Sequence, residues 1–91
     1  MIRQRAVDVK PLANYNLEVT FDNGEIKIFD VKPYFVNPWF LKLKDIQKFN
    51  TVHIAGLSIE WADGQDISPD CLYDDSTLNV LDFVSDIKER I

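Results

Sequence analysis

Between Tyr15 and Val31, in YNLEVTFDNGEIKIFDV, apolar and polar positions alternate as in a strand with one buried face. Asn23-Gly24 interrupts the pattern with the dipeptide that suits a two-residue type I′ turn, where both positions need positive φ. Pairing outward from that turn predicts Phe21 opposite Ile26 and Val19 opposite Ile28, leaving Glu18, Thr20 and Lys27 on the wetter face. Upstream, RQRAVDVKPL reads as a first strand with Val7 and Val9 on one face. Pro11 closes it, because proline cannot donate to a ladder.

Asn37-Pro38 predicts a helix start, with asparagine as cap and proline at the first helical position. One or two short turns then carry Trp39, Phe40, Leu43, Ile46 and Phe49 inward, with Lys42, Lys44 and Lys48 outside the stripe. TVHIAGLSIEW reads as two short strands around a turn at Ala55-Gly56. For the next hairpin a three-residue loop, Ala62-Asp63-Gly64, sets Ile59 against Ile67 and keeps the faces apart; a two-residue loop mixes them. Ser68-Pro69-Asp70 repeats the cap-and-proline logic, with Leu72 and Tyr73 packing inward. From about 77 to 90 the spacing of Leu78, Leu81, Val84 and Ile87 predicts a C-terminal amphipathic helix.

These elements make an α+β fold: antiparallel β-hairpins with short helices and a C-terminal amphipathic helix, in a single domain over 1–91. With 46% hydrophobic residues among 91, the chain is too apolar to be disordered. No apolar run approaches the ~20 residues of a membrane span. The N-terminus has no apolar segment after its basic residues, and Cys71 is the lone cysteine, so a reducing cytoplasm is the expected location.

Charge changes the picture more. The net charge is −5, but residues 1–48 carry eight Lys/Arg and six Asp/Glu, whereas residues 49–91 carry two and nine. No lysine or arginine lies between Phe49 and Ile87. Such a surface repels phosphate backbones, so direct nucleic-acid binding is not expected. Two readings fit. The simpler is that the acids keep a small protein soluble. The other is that Glu60, Asp63, Asp66, Asp70, Asp74 and Asp75 complement a basic protein partner. The tail residues Leu81, Val84 and Ile87 either close the domain's own core or dock on another chain, including a second copy.

The segments LEVTFDNGEIKIFDVKPYF, FLKLKDIQKF and IEWADGQDISPDCLY resemble a mainly bacterial family, domain of unknown function 2442. The likeness covers roughly 7–73. The tryptophan, turn glycine, aspartate and Leu72-Tyr73 of the last segment are its most specific part. It implies a small α+β domain that occurs alone, ahead of a helix-turn-helix domain, or encoded beside another small protein, as in toxin–antitoxin pairs. It brings no activity and no site residues.

Catalytic and metal constellations are weak. A turn at Ala55-Gly56 puts His53 opposite Ser58 and diagonal to Glu60, which suggests a Ser-His-Glu set. No Gly-rich elbow or oxyanion hole accompanies it, and polar residues on an outer strand face give the same pattern. Asp63, Asp66 and Asp70 do not have EF-hand spacing, so no metal and no cofactor are expected. Cys71 reads as a buried or half-buried inert thiol. Trp39 and Trp61 read as core anchors, with an interface as the alternative. The leading expectation is a non-catalytic protein-interaction domain, antitoxin-like, with a basic partner. A self-associating regulatory domain is second, and a small enzyme or metal-binding protein third.

Overall fold

Burial sorts the chain into its elements. The computed structural model describes residues 4–78. Within them run β1 (Ala6–Pro11), β2 (Asn16–Phe21), β3 (Ile26–Asp30), α1 (Pro38–Leu41), α2 (Ile46–Phe49), β4 (His53–Ala55), β5 (Ser58–Glu60), β6 (Asp66–Ile67), α3 (Pro69–Asp75) and β7 (Thr77–Leu78). Short 3-10 turns occupy Ala13–Tyr15, Lys32–Val36 and Lys42–Lys44. One sheet has the order β1-β2-β3-β7 and the other β4-β5-β6, with antiparallel pairing throughout. The architecture is α+β, built of antiparallel hairpins and short helices. The Ala6 amide ties the sheets together, donating to the Leu57 carbonyl at 3.1 Å. No helix among the described residues is long and apolar enough to cross a membrane.

The first hairpin differs from its expected register. Leu17 faces Phe29, Val19 faces Lys27 and Thr20 faces Ile26. The loop is Asp22-Asn23-Gly24: the Phe21 amide donates to the Glu25 carbonyl at 2.8 Å, and the Gly24 amide to the Phe21 carbonyl at 2.9 Å. Gly24 takes φ +90°, and the Asn23 side chain accepts from the Glu25 amide at 3.0 Å. A one-residue slip flips every side chain of the strand. Phe29 therefore enters the core with Leu17, Val19 and Phe21, while Ile26 turns outward.

Val7 and Val9 do not share a face. Ala6 pairs with Phe21 and Asp8 with Thr20, so Val7 is an extra residue in a β-bulge. Ala6 is buried, and Val7 is 46% exposed.

The segment after β3 starts as expected. The Asn37 side chain accepts from the Trp39 amide at 2.8 Å, and the Asp45 side chain caps α2 from the Gln47 amide at 3.0 Å. Phe40, Leu43 and Phe49 are buried, but Trp39 and Ile46 are 44% and 50% exposed. The chain breaks here into α1, a 3-10 turn and α2, so no single helical stripe extends across it. Each large side chain that does go under stabilises by roughly 1.5–3 kcal/mol against exposure.

The expected helix from 77 does not begin there. Ser76 is extended, and Thr77 and Leu78 pair with Ile28 and Lys27 of β3. The remainder of that expectation, including Leu81, Val84 and Ile87, lies outside the described residues.

Candidate functional site

The three-stranded sheet sorts its residues by parity. Ile54, Ile59 and Ile67 stand in register on one face. His53, Glu60 and Asp66 stand in register on the other. Both rows follow from the two turns. The first turn is Gly56-Leu57, one residue later than expected, because Ala55 pairs with Ser58. His53 therefore faces Glu60, with Nε2 3.5 Å from Oε1, and its Nδ1 lies 3.0 Å from the Thr51 carbonyl. The expected opposition of His53 and Ser58 is not formed.

The second turn has the expected three residues. The Trp61 amide donates to the Gln65 carbonyl at 2.8 Å and the Gly64 amide to the Trp61 carbonyl at 2.9 Å, with Gly64 at φ +106°. This loop length brings Glu60 directly opposite Asp66. Two surroundings hold it. Trp61 is buried, and its indole donates to the Phe49 carbonyl at 3.0 Å. Gln65 is also buried, and its amide nitrogen donates to the Trp39 carbonyl at 2.8 Å and to Asp63 Oδ2 at 3.1 Å. Trp39 is thus a half-exposed cover over the turn, not a core anchor. Gln65 escaped the sequence reading, since a polar residue after a turn glycine carries no burial signal.

Ser68 caps α3, accepting from the Cys71 amide at 3.3 Å. Leu72 is buried and Tyr73 half-buried, as expected, but Cys71 is exposed. Asp70 and Cys71 lie on the outward side of α3, and Leu72 on its inward side.

The six carboxylates do not form one patch. Glu60 and Asp66 are brought together. Asp63 is bonded into the turn, and Asp70 sits in the first turn of α3, where the dipole favours it. Asp74 and Asp75 end α3, and Asp75 borders a separate hollow of about 490 Å³ with Tyr34, Val36 and Phe40. Burial, then electrostatic interaction with the neighbouring Cys71 and Asp75, pushes the Tyr34 phenol above its ordinary value.

Glu60 and Asp66 border an open cleft of about 580 Å³, with Leu57, Ser58, Ser68 and Pro69 around them. Ser58 is 5% exposed, and its Oγ has no hydrogen-bond partner among the described residues. No group of three or more His, Cys, Asp or Glu among the described residues is arranged to hold a metal ion.

A family model described as protein of unknown function (DUF2442) matches residues 6–77. The chain belongs to this family. The match spans both sheets and α3, so the cleft and both three-residue turns lie in the DUF2442 portion. No curated protein and no solved structure matches the chain.

Proposed function

We propose that this DUF2442 chain is a non-catalytic protein-interaction module, antitoxin-like in role, that meets a basic protein partner through its carboxylates. One observation carries the reading: Glu60 faces Asp66 in register on an open sheet face. Like charges directly opposite destabilise a sheet. No lysine or arginine lies between Phe49 and Ile87, and among the described residues the pair's one basic contact is His53 Nε2, 3.5 Å from Glu60. A partner's positive charge relieves the pair. The same charge disfavours nucleic acid as the direct partner.

The test is affinity capture from the source cells at low salt, followed by titration of the captured protein against salt. The expected result is one basic protein in comparable amount, binding more weakly as salt rises and released by Glu60→Lys with Asp66→Lys. Binding that ignores both salt and charge reversal overturns the reading.

The outward turn of Ile26 and the exposure of Val7 favour a second reading, a self-associating regulatory domain. It predicts a dimer that falls apart when Ile26 becomes lysine, as read by light scattering.

A further inference from the structure

We infer that the cleft beside Glu60 and Asp66 takes the guanidinium of an arginine presented by the partner; this rests on the interaction reading above. Glu60 and Asp66 sit opposite each other at its edge, and an ionised carboxylate offers acceptors with no donor of its own. Ser58 lies two residues before Glu60 on the same strand, so its side chain shares that face. It is 5% exposed, and its hydroxyl is unbonded among the described residues. A buried hydroxyl without a partner is a cost that a ligand donor removes. Leu57 and Pro69 give the cleft apolar surface for the methylenes of a long side chain.

Arginine fits this set better than lysine. Its planar fork carries five N–H donors, enough for two carboxylates and a hydroxyl at once. Lysine brings a compact, strongly hydrated point charge without a planar fork to divide between two opposed carboxylates.

The experiment is an NMR titration of the isotope-labelled full chain with the peptide acetyl-Gly-Arg-Gly-amide. The same peptide with lysine, and with the neutral isostere citrulline, serve as comparisons. The expected result is saturable amide shifts gathered at Ser58, Glu60, Asp66 and Ser68, with no saturable response to citrulline. Glu60→Gln with Asp66→Asn weakens arginine-peptide binding at least about tenfold, since both charge-assisted bonds are weakened. Ser58→Ala weakens it about fivefold while raising the thermal midpoint, because the orphan hydroxyl is gone. A purely structural Ser58 leaves peptide affinity unchanged. Shifts scattered over Asp63, Asp70 and Asp74, or equal responses to arginine and citrulline, overturn the inference. The two readings fail separately. A basic partner that binds the doubly neutralised protein as tightly as the parent overturns the cleft and leaves the interaction module standing. Intact arginine-peptide binding with no basic partner in the cells overturns the module, and with it the partner-borne source of the arginine.

Discussion

Tyr73 holds the first hairpin at three points. Its ring meets Phe21 edge-on, with centroids 5.0 Å apart. Its hydroxyl donates to Glu25, and the Lys27 ammonium lies 3.8 Å above its ring while donating to its carbonyl at 3.0 Å. The hydroxyl bond, then the Asn23 amide, holds the Glu25 carboxyl below its ordinary value of 4.5. The same bond, then burial, pushes the Tyr73 phenol above 10.0. The signs follow by linkage. Glu25, depressed in the fold, contributes stability above 4.5 that is lost as pH falls through its folded value. Tyr73, raised in the fold, contributes stability below 10.0 that is lost as pH rises through its folded value. Tyr73→Phe keeps the ring and removes the bond. Its thermal midpoint should fall below the parent's by a constant amount between those limits, with the gap closing at both ends. A gap that persists in acid would mean the hydroxyl acts through something other than the Glu25 carboxylate. That Tyr73 packs inward was legible from its place in α3. Its partners were not, because 48 residues separate it from Glu25 and no local pattern links them.

At the scale of elements, two hairpins use the same turn. Phe21-Asp-Asn-Gly-Glu25 and Trp61-Ala-Asp-Gly-Gln65 make the same pair of backbone bonds around a left-handed glycine. The second was legible because only the three-residue loop aligns Ile59 with Ile67. The first was not, because β3 is ambiguous: Ile26 and Ile28 lie on one face, Phe29 on the other, and either register looks buried. Three-dimensional packing chose Phe29. The helix starts at Asn37 and Ser68 were legible from cap chemistry, whereas the break of the lysine-rich segment into short pieces left no mark in its spacing. The shared turn yields a ranking. Alanine at either glycine adopts a left-handed backbone at a cost of roughly 1–2 kcal/mol. At Gly24 an added Cβ meets nothing within 4 Å, but at Gly64 it comes 3.4 Å from Trp39 Cζ2. Gly64→Ala should therefore lose more stability than Gly24→Ala in urea denaturation. Gly24→Asn should lose less than either, since asparagine tolerates this conformation better. Equal losses for the two alanine variants would show that Trp39 yields freely and does not brace the turn.

The whole molecule sets its stability against its proposed partner. The imbalance between its halves was legible as composition, and the three-residue loop already implied that Glu60 meets Asp66. That Asp75 borders a separate hollow with Tyr34 and Phe40 was not legible, because the packing of α3 leaves no mark in local spacing. Misplacing the earlier turn by one residue was enough to give His53 the wrong neighbour. If the opposed carboxylates serve a partner, removing their charge should help the isolated protein. Glu60→Gln with Asp66→Asn keeps shape and hydrogen-bonding capacity, and gives up a half-exposed contact to His53 that contributes little. Relief of a like-charged cross-strand pair is of the order of 0.2–1 kcal/mol. The gain should shrink as salt rises but not vanish, because directly opposed residues sit closer than the screening length of about 10 Å at 0.1 M. Urea denaturation of both proteins at low and high salt measures it. A gain in stability joined to weaker partner binding is the signature of charge kept for recognition. A loss of stability would mean that these carboxylates hold the fold together through contacts of their own, and the interaction reading would lose the observation that carries it.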